Sequence, residues 1–206
     1  MNPKFSRLPH EKQTKIFHAA LEVFSRSGYK KAVTADIAAA AGISKGLLFF
    51  YFENKRGLYK WLFESCVGAF MKLLLQEDTW RGMDFFDAML MGLKIKMDLA
   101  RKHPALLGFV VYAWRERDPE VAACMRRFMR YMEDECVGLL LSWLDTSRFR
   151  KEIDPREILC LLINVSEGFL TQQYRQNGLC DMDALEKEFK KKLKLLRALA
   201  YQPEVS

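Results

Sequence analysis

The chain has 206 residues, of which 50% are hydrophobic and 13% aromatic, so it is long and apolar enough to bury a core. Its net charge is +7, and all of that excess lies in residues 1–60, which hold 11 basic and 4 acidic residues. No window approaches the ~20 uncharged apolar residues of a membrane span, and the N-terminal stretch lacks the apolar centre of a signal peptide. We therefore expect a cytoplasmic protein that does not contact a membrane.

Apolar residues recur at helical spacing along most of the chain, and six prolines and eleven glycines are too few for a fold of many short turns. We predict an all-α fold, with a small N-terminal domain over residues 1–54 and a larger helical bundle over residues 55–206. The first helix is expected from about Pro9 to Ser27, with Gly28 ending it.

Residues 34–55, TADIAAAAGISKGLLFFYFENK, fit two short helices joined by a tight turn. Thr34 is placed to cap the first helix, Gly42 to end it and Ser44 to cap the second. The second helix is predicted from Lys45 to Phe52. This layout is that of a DNA-reading helix-turn-helix, and the local positive charge suits a phosphate backbone.

A long helix is predicted from Lys55 to Leu75, followed by helices near residues 84–102, 104–115, 119–144, 155–176 and 183–201. Pro104, Pro119 and Pro155 each fit the first turn of a helix, where the missing N–H costs nothing. The last two helices carry apolar stripes broad enough for a four-helix contact between two copies of the chain. The predicted interface residues are Ile158, Leu161, Leu162, Val165, Phe169, Leu185, Phe189, Leu193 and Leu196.

The cysteines and histidines give no sign of a metal site, a cofactor or a catalytic group. The five cysteines are odd in number, widely spaced and without a C-x-x-C pair, so neither a disulfide framework nor a zinc site is expected. The alternative for Cys180, which follows Asn177-Gly178, is a redox-sensing thiol. The three histidines lack carboxylate or cysteine neighbours at ligand spacing.

The run from Ile16 to Leu58 reads I-x-x-A-A-L-x-x-F-x-x-x-G-Y and then T-x-x-I-A-x-x-A-G-I-S-K-G-x-L-F-x-Y-F-x-x-K-x-x-L. It resembles the DNA-binding domain of the TetR/AcrR family of bacterial transcriptional regulators. The resemblance implies that the second helix enters the major groove of DNA. By position, base edges face Lys45, Gly46, Leu47 and Phe50, and phosphates face Thr34, Ser44, Tyr51 and Lys55.

The chain departs from the family pattern at Phe49 and Phe50, where tyrosine or histidine is common. A phenylalanine cannot donate a hydrogen bond to a phosphate or a base, so these rings are expected to contact a thymine methyl group or to pack within the domain. Tyr51 has two interpretations as well, a phosphate contact or a core residue.

Methionine and aromatic residues are concentrated between residues 83 and 132. Their spacing alone favours core, whereas the resemblance implies a pocket for a mostly apolar small-molecule effector. The predicted pocket residues are Phe86, Met89, Phe109, Tyr112, Met125, Phe128 and Met129.

The resemblance thus implies a homodimeric repressor that an effector releases from a palindromic DNA operator. Three alternatives stay open: a transcriptional activator, a small helical enzyme that uses the apolar region, and a module that contacts protein. We expect no enzyme, because no nucleophile–base or paired-carboxylate arrangement can be assembled from the sequence.

Overall fold

The computed structural model describes residues 2–177 and 181–203, without the side chains of some residues inside the helices. Eleven α-helices and no strand are found in this part of the chain, which confirms the all-α prediction. In chain order the helices are α1 (Pro3–Ser6), α2 (His10–Lys31), α3 (Thr34–Ala40), α4 (Lys45–Phe52), α5 (Lys55–Leu74), α6 (Glu77–Trp80), α7 (Phe85–Lys102), α8 (Pro104–Trp114), α9 (Pro119–Trp143), α10 (Pro155–Asn177) and α11 (Met182–Ala200).

Nine of these helices are predicted from the sequence, and the three prolines open α8, α9 and α10 as expected. The short helices α1 and α6 are not predicted. Helix α1 does carry a local signal, because the Asn2 side chain accepts a hydrogen bond from the Lys4 N–H and Pro3 occupies the first turn.

The described chain forms two compact units. The N-terminal unit comprises Met1–Met71 and His103–Met129, and the C-terminal unit comprises Lys72–Lys102 and Arg130–Ser206. The division falls inside α5 and α9, so the N-terminal unit includes α8 together with the predicted helix-turn-helix. A domain boundary after residue 54 stays a prediction.

Helix α8 packs along α2 in the N-terminal unit, and α2 packs in turn on α3. The fully buried rings of Phe24, Tyr59 and Phe109 meet in this core, with the Tyr59 centroid 4.9 Å from that of Phe24 and 5.3 Å from that of Phe109. Such edge-to-face ring pairs add stability beyond the apolar area that they bury.

The turn between α3 and α4 follows from its sequence. The Gly42 N–H donates to the Ala39 carbonyl and the Ile43 N–H donates to the Ala38 carbonyl, each at 3.0 Å, which closes the end of α3. Gly42 has a φ of +68°, a conformation that favours glycine. Ser44 then caps α4 by accepting the Leu47 N–H at 3.1 Å. Both predicted roles, for Gly42 and for Ser44, are confirmed.

The predicted cap at Thr34 is wrong. Val33 occupies the N-cap position of α3 without a side-chain hydrogen bond, and Thr34 is already the first helical residue. Thr34 is also buried, so its side chain belongs to the packed interior of the N-terminal unit.

The C-terminal unit is built around an aromatic cluster. The Phe149 ring centroid lies 5.1 Å from that of Phe85 and 5.2 Å from that of Tyr201. The Tyr201 hydroxyl donates to Asp84 at 2.8 Å, and burial together with this carboxylate raises the pKa of Tyr201. Helix α11 packs on both α7 and α10.

Among the described residues, no single helix is both long and apolar enough to cross a membrane. Helices α3 and α4 reach that apolar length only as a pair, across a bend of 104°.

Candidate nucleic-acid interface

Helix α4 buries one face and exposes the other. Leu48 and Phe52 are fully buried in the core of the N-terminal unit. Lys45 and Gly46 are exposed, and Phe50 keeps 46% of its surface accessible. Three of the four residues predicted to face base edges therefore lie on the accessible face, whereas the fourth, Leu47, is half-buried.

Each of the two phenylalanines that depart from the family pattern has a lysine ammonium near its ring. The Lys45 Nζ lies 5.7 Å from the Phe49 centroid, and the Lys4 Nζ lies 5.3 Å from the Phe50 centroid. Both distances fall within the range of a cation–π interaction. Cationic groups therefore stand beside these apolar rings at the accessible face of α4.

The four residues predicted to contact phosphates are less available for such contacts. Thr34 and Tyr51 are buried, and the Ser44 hydroxyl already caps α4. Lys55 is half-buried, and its Nζ donates to the Lys30 carbonyl at 3.2 Å. Phosphate contacts by these residues stay predictions.

Lys55 also joins a polar cluster at the end of α2. Its Nζ lies 5.0 Å from the ring centroid of Tyr29, and burial lowers the pKa of Lys55 against the effect of nearby carboxylates. The Tyr29 hydroxyl donates to Glu120, and the Tyr29 N–H donates to the Glu116 carboxylate at 3.2 Å. Burial and the Glu120 carboxylate raise the pKa of Tyr29.

Gly28 allows α8 to approach the end of α2 closely. Its φ of 65° and ψ of 179° interrupt the helical geometry of α2 where the sequence predicts the helix to end, although helical turns resume as far as Lys31. A Cβ at Gly28 would lie 3.3 Å from the Tyr112 ring. The end of α2 is thus held by residues of α8 and of the loop and first turn that follow it.

Sequence reasoning missed the carboxylates in this cluster. Tyr29 belongs to the family-like motif, but Glu116 and Glu120 are 87 and 91 residues further along the chain. No local spacing marks a contact over such a separation.

The residues predicted to line an effector pocket fall in both units. Phe109 and Met125 are buried in the N-terminal unit and Phe86 is buried in the C-terminal unit. Met89 is half-buried and Tyr112 is partly exposed. The side chains of Phe128 and Met129 are outside the described structure. A common pocket for these residues stays a prediction.

The structure does contain an open groove of about 610 Å³ on the N-terminal unit, away from the predicted pocket residues. It lies between α2 and α3, and two of the three histidines are on its wall. Its lining residues are His10, Glu11, Thr14, Lys15, His18, Ala19, Glu22 and Ala40.

The residues predicted to form a dimer interface differ in exposure. Leu162, Leu185 and Leu193 are buried inside the C-terminal unit, and Leu161 keeps 45% of its surface accessible. The remaining five, Ile158, Val165, Phe169, Phe189 and Leu196, are half-buried. The interface stays a prediction, and the buried three have little surface left for a partner.

The four described cysteines form no disulfide with one another. Cys66 is buried, which raises the pKa of its thiol to about 12. Cys180 lies outside the described residues. Within residues 2–177 and 181–203, no three His, Cys, Asp or Glu side chains are grouped so that they could hold a metal ion.

Comparison with known proteins agrees with the geometry of the N-terminal unit. Residues 16–62 match the family model for bacterial regulatory proteins of the tetR family. The uncharacterized HTH-type transcriptional regulator YfiR of Bacillus subtilis is 22% identical over 180 residues, which are 82% of this chain and 84% of that protein.

Two solved structures share the fold. The fatty acid degradation regulator FadR from Bacillus halodurans aligns with a TM-score of 0.71 at 22% identity, covering 87% of this chain and 96% of that one. The transcriptional regulator FadR from Bacillus subtilis, solved in complex with stearoyl-CoA, aligns with a TM-score of 0.69 at 18% identity and the same coverage. The helix-turn-helix geometry and the family match lead to one conclusion: residues 16–62 form a helix-turn-helix domain of the kind found in bacterial regulatory proteins of the tetR family.

Proposed function

We propose that the protein is a homodimeric repressor, acting in the cytoplasm, that binds a palindromic operator and releases it when a mostly apolar small molecule binds. The observation that carries this proposal is the accessible face of α4, where Lys45, Gly46 and Phe50 are exposed within the part of the chain that holds the whole net charge.

The exposed face of α4 suits a major groove. Lys45 can donate to guanine O6 and N7, Gly46 allows close approach of the backbone, and Phe50 can contact a thymine methyl group. Because few of these groups form hydrogen bonds, we propose that DNA shape contributes much of the sequence preference. The concentrated positive charge would supply the salt-dependent share of affinity through counterion release.

Dimerisation would bring two reading helices about 34 to 36 Å apart, which matches successive major grooves and requires an inverted repeat. The exposed leucines of α10 and α11 support this step. Leu195 and Leu199 each keep 56% of their surface accessible and lie one helical turn apart. Leu161 on α10 keeps 45% of its surface accessible, and a second copy of the chain would cover these exposed leucines.

The effector is proposed to be mostly apolar because methionine and aromatic residues are concentrated in residues 83–132. The stearoyl-CoA bound to a fold neighbour makes a long-chain acyl-CoA the first compound to try. An effector acts only through its different affinity for two conformations, and a coupling of about 1 to 3 kcal/mol would weaken operator binding roughly 5 to 150-fold.

The polar cluster around Tyr29 offers a route for this coupling. Glu116 and Glu120 hold the end of α2, and α2 packs on α3 of the helix-turn-helix. An effector that shifts α8 would change these hydrogen bonds and, with them, the position of the helix-turn-helix. Glu120→Gln should therefore change the effector response more than it changes DNA binding without effector.

Selection of bound duplexes from a random pool tests the proposal first, because the recovered motif should be an inverted repeat. Affinity for that duplex should fall steeply with salt and should fall again in Lys45→Ala, but not in the charge-matched control Lys151→Ala, which lies in the turn before α10. Addition of stearoyl-CoA should release the duplex if acyl chains are effectors. Affinity that is independent of salt, or a Lys45→Ala variant that binds like the wild type, would contradict the proposal.

A further inference from the structure

The segment Asn2–Ser6 is fastened to the reading helix α4. The Asn2 N–H donates to the Tyr51 carbonyl at 2.8 Å, and the Asn2 side-chain amide donates to the Phe50 carbonyl at 3.3 Å. Carbonyls in the last turn of a helix have no partner within the helix. Asn2 therefore satisfies two of the carbonyls that end α4.

A second anchor, the aromatic ring of Phe5, fixes the segment further. Phe5 is buried, and its ring centroid lies 5.7 Å from Tyr51, 4.8 Å from Phe52 and 5.0 Å from Trp61. Removing such an aromatic side chain from water stabilises the segment in this position. The segment therefore packs as part of the helix-turn-helix region, although it lies outside the family match at residues 16–62.

Lys4 lies between these two anchors and is itself exposed. Its Nζ is 5.3 Å from the ring centroid of Phe50, the most exposed aromatic residue of α4. The negative face of the ring attracts the ammonium group and restricts the positions that the long side chain takes up. The charge thus stands at the border of the face that α4 would turn to the groove.

We propose that Lys4 contacts the DNA backbone, with the Phe50 ring holding its ammonium beside the reading helix. The proposal rests on the DNA-binding function proposed above. Sugar-phosphate strands border the groove that a reading helix occupies, so a cation at the edge of the helix meets phosphate rather than base edges. Lys4 then supplies a polar contact that Phe50 itself cannot make.

The test is a salt titration of duplex binding by wild type, Lys4→Gln and Lys151→Gln. Loss of one phosphate contact should make the slope of log affinity against log salt shallower by about one unit. The loss of affinity should be equal for the selected operator and for a mismatched duplex. The control Lys151→Gln removes the same charge from an exposed position in the turn before α10 and should leave the slope unchanged.

A double-mutant cycle with Phe50→Leu tests the part played by the ring. Leucine keeps an apolar group for a thymine methyl but removes the π face, so Lys4→Gln should cost less affinity in the Phe50→Leu background than in the wild type. A Lys4→Gln slope equal to that of the wild type would overturn the proposal, and additive losses would overturn the role of the ring. If the wild type itself binds no duplex, the proposed function fails instead.

Discussion

At the scale of single residues, Tyr59 carries a polar group in the core of the N-terminal unit. Its hydroxyl is buried and has no hydrogen-bond partner among the described residues, and burial raises its pKa. Burying a hydroxyl without a partner costs roughly 1 to 3 kcal/mol. We therefore expect Tyr59→Phe to raise the free energy of unfolding by about 1 kcal/mol, measured by urea denaturation.

Tyr29→Phe is the matched control, because it removes the same atom from a neighbouring ring whose centroid is 5.1 Å away. The Tyr29 hydroxyl donates to the Glu120 carboxylate, and a hydrogen bond to a charged group contributes about 1.5 to 3 kcal/mol. This variant should lower the free energy of unfolding. If Tyr59→Phe is as destabilising as Tyr29→Phe, the Tyr59 hydroxyl has a partner and the first expectation is wrong.

The raised pKa of Tyr59 also predicts a dependence on alkaline pH. Above pH 10.0, the ordinary value for tyrosine, the unfolded chain loses this proton while the folded chain keeps it, so wild-type stability falls as pH rises. Tyr59→Phe has no such proton. Its advantage over the wild type should grow between pH 9 and pH 11, by up to about 1.4 kcal/mol per pH unit. A stability difference between the two proteins that stays constant across this range would contradict the raised pKa of Tyr59.

At the scale of helices, the junction between α4 and α5 depends on Gly57. A Cβ at this position would lie 2.1 Å from the Phe52 carbonyl oxygen, which is backbone and cannot move aside alone. The Gly57 N–H also donates to the side-chain oxygen of Asn54 at 2.8 Å, which caps the start of α5. Gly57→Ala should therefore lower the free energy of unfolding by about 1 to 3 kcal/mol, measured by thermal denaturation. It should also weaken operator binding, because α4 must shift.

Gly68→Ala on the same helix is the control. Nothing lies within 4 Å of the Cβ that it would add, and the residue is exposed. Alanine is favoured over glycine in a helix by roughly 1 kcal/mol, so this variant should be more stable than the wild type and bind DNA normally. Equal stability of the two variants would show that the close approach at Gly57 has no energetic consequence.

The same elements show what the sequence determines. The start of α4 is predicted because Gly42 and Ser44 mark it locally, and the prolines mark the starts of α8, α9 and α10 in the same way. Thr34 fails as a cap because the helix begins one residue earlier than its hydroxyl requires. The contact between Tyr29 and Glu116 and the docking of Asn2 on α4 depend on packing between distant segments, which no local pattern records.

For the whole molecule, charge and apolar surface are separated along the chain. The positive excess lies in residues 1–60, whereas residues 61–206 carry equal numbers of basic and acidic residues. Without net repulsion, the leucines exposed on α10 and α11 would be free to associate with a second copy in the proposed dimer, while the cationic part would bind the proposed DNA partner. This separation matches a protein that pairs through one region and binds DNA through another.

The whole-molecule prediction is that Leu195→Glu together with Leu199→Glu converts the proposed dimer to a monomer. Charges placed at the centre of an apolar interface would lose their hydration on association, at a cost of several kcal/mol. Both side chains are more than half exposed, so the helical circular dichroism of the chain should persist.

Leu139→Glu on α9 is the control, since Leu139 keeps 43% of its surface accessible outside the proposed interface. Sedimentation velocity should show a monomer for the double variant alone, with much weaker binding to an inverted repeat but residual binding to a half-site. A double variant that sediments like the wild type would place the interface elsewhere.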